Sequence, residues 1–145
     1  MIDSSNTLYC DSMKYYKGAQ KHILAWGNVK LTEPNRDIFC DTLYYWKDQG
    51  FRKLSFKAIG DAKIIGKNEA ISAQEINYKD IPQNMDLYNS AKIVKNNGLI
   101  QGDTLFIQFK DSLIDVVNVF GNAYASNDLE ARISSNSSKY KFKDA

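Results

Sequence analysis

The chain has 145 residues, the length of one ordinary domain, and its 43% hydrophobic and 12% aromatic content excludes a disordered tail and allows a sizeable core. Nineteen Lys and Arg face 17 Asp and Glu, a net charge of +2, so no general field draws the protein to nucleic acid or to an anionic membrane. No apolar run approaches the roughly 18 residues that cross a bilayer, and two cysteines and one histidine are too few for a disulfide scaffold, a zinc site or a multi-histidine centre.

Met1 to Thr7 is polar and lacks the apolar centre of a signal peptide. The expectation is either a cytosolic protein or an exported one whose leader has been removed. From residue 8 onward the chain repeats itself. Leu8-Tyr9-Cys10-Asp11-Ser12-Met13 runs aliphatic, any, small, acidic, polar, apolar. After a turn at Lys17-Gly18-Ala19 comes Ala25-Trp26-Gly27-Asn28-Val29-Lys30-Leu31, where Ile23, Ala25, Val29 and Leu31 are apolar at even steps about a Gly-Asn centre. That period is the mark of a strand with one buried face.

Pro34-Asn35 separates this copy from a second, in which Ile38-Phe39-Cys40-Asp41-Thr42-Leu43 is followed, after Lys47-Asp48-Gln49-Gly50, by Ala58-Ile59-Gly60-Asp61-Ala62-Lys63-Ile64. A third begins after Gly66-Lys67-Asn68 with Ile71-Ser72-Ala73-Gln74-Glu75-Ile76, turns at Lys79-Asp80-Ile81-Pro82, and continues as Leu87-Tyr88-Asn89-Ser90-Ala91-Lys92-Ile93. On pattern alone 84–95 is also readable as a helix. A fourth follows Asn96-Asn97-Gly98: Ile100-Gln101-Gly102-Asp103-Thr104-Leu105, Lys110-Asp111-Ser112, then Val119-Phe120-Gly121-Asn122-Ala123-Tyr124-Ala125. The acidic position recurs at intervals of 30, 33 and 29 residues, a two-stranded repeat with variable loops, and four copies make about eight strands.

The first half of each copy changes phase, since Ile38 and Cys40 and then Leu43 and Tyr45 form its apolar set. A bulge at the small residue (Cys10, Cys40, Ala73, Gly102) explains this, and the central Gly of the second half serves the same bend. Residues 126–145, with Ser134-Ser135-Asn136-Ser137-Ser138, lack the motif and are expected to be a polar tail, a cap or a truncated fifth copy. The domain itself is placed at 1–125.

Asp11, Asp41 and Asp103 form a row that invites a metal reading; a carboxylate beside a bend more simply caps local amides. Cys10 and Cys40 hold equivalent repeat positions and bridge only if their strands are neighbours. Lys17, Lys47, Lys79 and Lys110 each follow a first strand, either as solvated turn residues or as an anion-meeting edge. Trp26 and Trp46 are expected to cover the sheet surface or a groove mouth. With one histidine and no phosphate loop, dinucleotide fingerprint or zinc spacing, the chain is not read as an enzyme, and neither a metal nor another cofactor is expected.

The paired signals, best seen in Ile38 to Tyr45 and Ala25 to Leu31, resemble the OstA-like domain of periplasmic lipopolysaccharide-transport proteins over about residues 8 to 125. Gln74 in place of Asp and Asn89 in place of Gly make the third copy depart from the pattern. The resemblance implies an all-β, open, twisted antiparallel roll, jelly-roll-like, with an apolar interior that shelters lipopolysaccharide acyl chains during transport to the outer membrane. It implies a periplasmic location, and as partners lipopolysaccharide or a similar lipid, with other OstA-like domains or a second copy joined by edge strands. The inward residues expected to touch lipid are Phe56, Ile64, Met85, Leu87, Ile93, Val117 and Val119. The other reading is a structural or protein-interaction domain with a closed core and no lipid.

Overall fold

Strict apolar alternation in each copy buries one face of every strand and leaves the other to solvent, and the computed structural model realises it as a single antiparallel sheet. The structure describes residues 6–17, 22–47, 54–80, 82–96, 98–126, 129–133 and 138–142. Its strands are β1 (Thr7–Tyr9), β2 (Ser12–Tyr16), β3 (His22–Thr32), β4 (Arg36–Lys47), β5 (Leu54–Gly66), β6 (Glu69–Asp80), β7 (Gln83–Lys95), β8 (Gly98–Lys110), β9 (Leu113–Phe120), β10 (Tyr124–Ser126), β11 (Leu129–Ile133) and β12 (Ser138–Phe142). The turn residues expected at 18–19, 48–50, 81 and 97, and most of the serine-rich stretch at 134–138, lie outside the described residues.

Neighbours run in the order β1-β3-β4-β5-β6-β7-β8-β9-β12-β11, with β2 also on β3 and β10 on β8. β1 and β2 are one strand interrupted at Cys10-Asp11, and β9 and β10 one strand interrupted at 121–123. The four copies therefore supply eight strands, and the ambiguous 84–95 segment is strand. After residue 125, β12 pairs with β9 through Ser138, Lys139 and Tyr140, and β11 pairs with β12.

The strands of the four copies bend at the same level. Trp26 pairs with Thr42 and Val29 with Cys40, so Gly27 and Asn28 together oppose Asp41. Gly60 and Asp61 likewise oppose Gln74, and Asn89 and Ser90 oppose Asp103. Both members of each pair have positive φ, from 42° at Asp61 to 89° at Gly60. The surplus residue therefore sits on the second strand of each copy, whereas the sequence pattern suggested the first. Asn89 and Ser90 form the bulge without glycine, at φ 67° and 55°; asparagine tolerates this region better than most residues.

Acidic side chains brace the line of bulges. Asn28 Nδ2 donates to Asp11 at 3.1 Å, Asn122 Nδ2 to both carboxylate oxygens of Asp103 at 3.1 and 3.2 Å, and Gln74 Nε2 to Asp61 at 2.8 Å. Backbone N–H groups of Asp11 and Asp103 reach the carbonyls of Gly27 and Gly121 at 2.8 Å. The row is structural bracing, and its acceptors engage side-chain amides.

This crease divides the sheet into two leaves that close on each other. Leaf A holds β1, β10 and the strand halves 29–32, 36–40, 62–66, 69–73, 91–95 and 98–102; leaf B holds β2, β9 and the halves on the other side of the bulges. Beside the crease leaf A presents small inward residues, Cys40, Ala62, Ala73, Ala91 and Gly102, and toward its lip the larger Leu31, Ile38, Ile64, Ile71, Ile93 and Ile100. The interior is thus a wedge whose narrow end sets the mostly small side chains of leaf A against the larger Leu43, Ile76, Leu87 and Leu105 of leaf B. Gly102 is the extreme: an added Cβ would lie 3.0 Å from the Gly121 carbonyl oxygen and run into Val119. At the far edge the pattern lapses, because Ala123, expected inside, is exposed where the chain leaves the sheet between β9 and β10. Cys10 and Cys40 are both free, since β3 runs between their strands.

Candidate functional site

All seven residues expected to touch lipid point into the space between the leaves, and none is more than 4% exposed. Leu87 and Val119 share the inward row of leaf B next to the crease; Phe56, Met85 and Val117 share the next row toward its lip; Ile64 and Ile93 face them from leaf A. Four repeats of one period-two pattern, bent at one level, are what place residues more than sixty positions apart in a single apolar lining.

Opposite the crease the two lips meet along a seam that is not fully filled. A pocket of about 270 Å³ opens there, with Ile64, Ile71, Met85 and Phe109 among its apolar walls and Arg36, Lys67, Glu69 and Lys95 among its polar ones. Ile64 and Met85, on opposite leaves, are the two of the seven that reach it.

A strap crosses the seam. Arg36 on the lip of leaf A stands over the rings of Tyr78 and Phe56 on leaf B, its guanidinium carbon 4.7 and 5.5 Å from their centroids. Glu33 holds the same guanidinium at 2.6 Å, and Phe56 stacks on Tyr78 with centroids 5.2 Å apart. The Tyr78 hydroxyl donates to Asp80 and accepts from Gln83 at 3.0 Å. Burial, then the Asp80 carboxylate, pushes this phenol up to about 12. At the N-terminal end Asn6 Nδ2 donates to the Tyr45 hydroxyl at 3.1 Å, a second tie between the leaves.

Charge rims the mouth. Burial raises the Glu69 carboxyl above its ordinary range, with Lys95 and Arg36 opposing. Of the four repeat lysines, Lys17, Lys79 and Lys110 are exposed near the lip of leaf B; the side chain of Lys47 lies outside the described residues. The mouth thus joins an apolar floor to a charged margin in which Arg36, Lys67 and Lys95 outnumber Glu69. Among the described residues no cluster of three or more His, Cys, Asp and Glu suited to a metal ion is present.

Residues 9–112 match the family described as "LptA/(LptD N-terminal domain) LPS transport protein". The chain belongs to this LptA/LptD N-terminal family. In fold, the LptA-type chain is similar to LptH of Pseudomonas aeruginosa, described as the LptA homologous periplasmic component of the lipopolysaccharide transport device, with a TM-score of 0.64 at 14% identity, covering 76% of this chain and 80% of that one. A Flavobacteriaceae sp. protein described as a c-di-GMP synthase is 34% identical over 94 residues, 59% of this chain and 25% of its own length. The chain thus spans about a quarter of that curated relative. The family is one of transport components, not enzymes, and the all-β roll expected from the repeat is the fold found.

The strap residues of this LptA-type roll escaped the sequence reading. Arg36 sits in the link between copies one and two, where no repeat equivalent marks it, and no pattern in the sequence singles out Tyr78. Ile71 opens the third copy in the repeat pattern and was legible as core; its place on the mouth depends on how the leaves close.

Proposed function

We propose that this chain is a periplasmic lipid-binding module that shelters lipopolysaccharide acyl chains between its two leaves during transport to the outer membrane, without chemistry. The observation that carries the reading is the mouth itself, an apolar floor continuous with the interior and margined by three cations, Arg36, Lys67 and Lys95, against one carboxylate, Glu69, a pairing suited to acyl chains bearing anionic head groups. Family membership and the periplasmic description of LptH support the same reading.

Volume decides how the lipid enters. Drug-sized ligand sites occupy about 300–1,000 Å³, so a 270 Å³ mouth holds part of one chain, and further entry requires the lips to part about the crease. The Arg36 strap resists this by about 0.5–2 kcal/mol, whereas each acyl CH₂ leaving water gains roughly 0.8 kcal/mol. Two or three methylenes offset the strap. The exposed edge at β1 and β2 offers unpaired backbone groups to another OstA-like domain or a second copy.

Near-complete burial of the seven inward residues favours the closed-core, lipid-free reading, and one experiment separates the two. A photo-crosslinking residue placed at Ile64 or Met85 in cells should yield a lipopolysaccharide adduct, and one at the outward Ile65 should not. Adducts absent from both inward sites, alongside a positive control, would sink the carrier reading.

A further inference from the structure

Two aromatic patches of opposite charge share the outer face of leaf B. On β2–β5 the outward positions include Trp26, Tyr44, Trp46, Lys14 and Lys57 and no Asp or Glu. On β7–β9 the rings of Tyr88, Phe106 and Phe120 contact one another, with centroids 6.1 and 5.3 Å apart, beside Asp86. Trp26, Tyr44 and Phe120 are 43%, 39% and 36% exposed. A contiguous apolar surface of this kind marks an interaction site.

The cross-strand rows show how the patches relate. One outward row reads Trp26, Thr42, Ile59, Glu75, Tyr88, Thr104, Phe120, and the next Leu24, Tyr44, Lys57, Asn77, Asp86, Phe106, Asn118. Both are centred on β6. Positions equidistant from that centre match in kind at Trp26 and Phe120, Thr42 and Thr104, and Tyr44 and Phe106, are opposite in charge at Lys57 and Asp86, and differ at Leu24 and Asn118. Among the described residues neither Lys57 nor Asp86 has an ion-pair partner, and the Tyr88 hydroxyl donates to Asp86.

We propose that a second copy of this chain docks face to face on leaf B about a two-fold axis along β6, setting Lys57 against the partner's Asp86. An isologous contact requires each residue to meet its counterpart reciprocally, and an axis on β6 sets Tyr44 against Phe106 and Lys57 against Asp86 in both directions. Tyr44, Trp46, Lys57, His22 and Ile59 line an open groove of about 560 Å³, which receives the partner's Phe106. The Glu75 carboxylates approach each other near the axis, an unfavourable contact that weakens the pair. Seven strands at about 4.8 Å by about 17 Å of strand give roughly 600 Å² per copy, or about 1,200 Å² in all, near the lower limit for specific association. The dimer is therefore weak and reversible. The inference does not depend on lipid, and a closed pair differs from edge-strand joining, which grows without limit.

Sedimentation velocity on the full chain without lipid, across a concentration series, tests it. The mass should rise to at least twice the monomer and the association weaken at high salt. Lys57→Glu or Asp86→Lys should each reduce association at least tenfold, and the double reversal should restore it to within about threefold, which also shows that the single variants did not merely misfold. A strict monomer at millimolar concentration, or single reversals without effect on association, each overturn the proposal.

Discussion

The carboxylate of Asp41 occupies the space that a side chain on Gly60 would need: a Cβ there would lie 2.8 Å from the carboxylate carbon, Cγ, of Asp41. Gly60 also has φ of +89°, so two independent constraints exclude other residues. Gly60→Ala is expected to destabilise by about 1–3 kcal/mol through the backbone alone, and by more through the collision. The double variant Gly60→Ala with Asp41→Ala should recover part of the loss in a thermal-melt cycle. Additive effects would show that the carboxylate is not the obstacle.

Removing the strap should loosen the seam without unfolding the roll. Arg36→Ala is expected to cost about 0.5–2 kcal/mol and to raise binding of a hydrophobic dye, while Glu33→Ala, which frees the guanidinium but keeps it over the rings, should give a smaller rise. Dye binding unchanged in both would show that the lips are held elsewhere.

Burial pushes the Cys40 thiol up to about 12, from an ordinary 9.0, with Asp41 adding to the rise and a backbone hydrogen bond from Ile59 opposing it. The Tyr78 hydroxyl lies up to about 12 against 10.0. Both groups lose a proton more readily in the unfolded chain, so above about pH 9 the unfolded state binds fewer protons and stability falls as pH rises toward 12. Urea midpoints should drop between pH 8 and 10.5, less steeply in Cys40→Ala. At pH 8 a thiol reagent should modify the half-buried Cys10 before Cys40, which becomes reactive on unfolding.

Leu87 is fully buried while Ile65, on the outer face, is 42% exposed. Leu87→Ala should therefore cost about 2–5 kcal/mol, and Ile65→Ala within about 0.5 kcal/mol. Equal costs, measured by denaturant unfolding, would contradict the assignment of the two faces.

Much of this was readable in the chain, because a period-two pattern with a constant phase change fixes strand, face and bend locally. Ile38 and Cys40 against Leu43 and Tyr45 announced a bend, and Gly27, Gly60 and Gly121 gave its level. Backbone alternation alone assigns Phe56, Leu87 and Val119 to the interior, since register follows from which side chains must leave water. Which strand carries the surplus residue was not legible, as a bulge is defined by the pairing partner. The third copy, lacking both Asp and Gly, bends all the same because its neighbours on either side already do.

Tertiary structure alone decided what happens where distant segments meet. Closure of the leaves, set by the small residues of leaf A along the crease and its bulky ones toward the lip, brought Arg36 over Tyr78 and Phe56 and left the mouth between Ile64 and Met85. Those contacts join residues on different strands and leaves, and no local spacing encodes them. The sequence by itself determined an all-β repeat with one apolar face and a shared bend; how closely the two halves of that face approach is a property of packing.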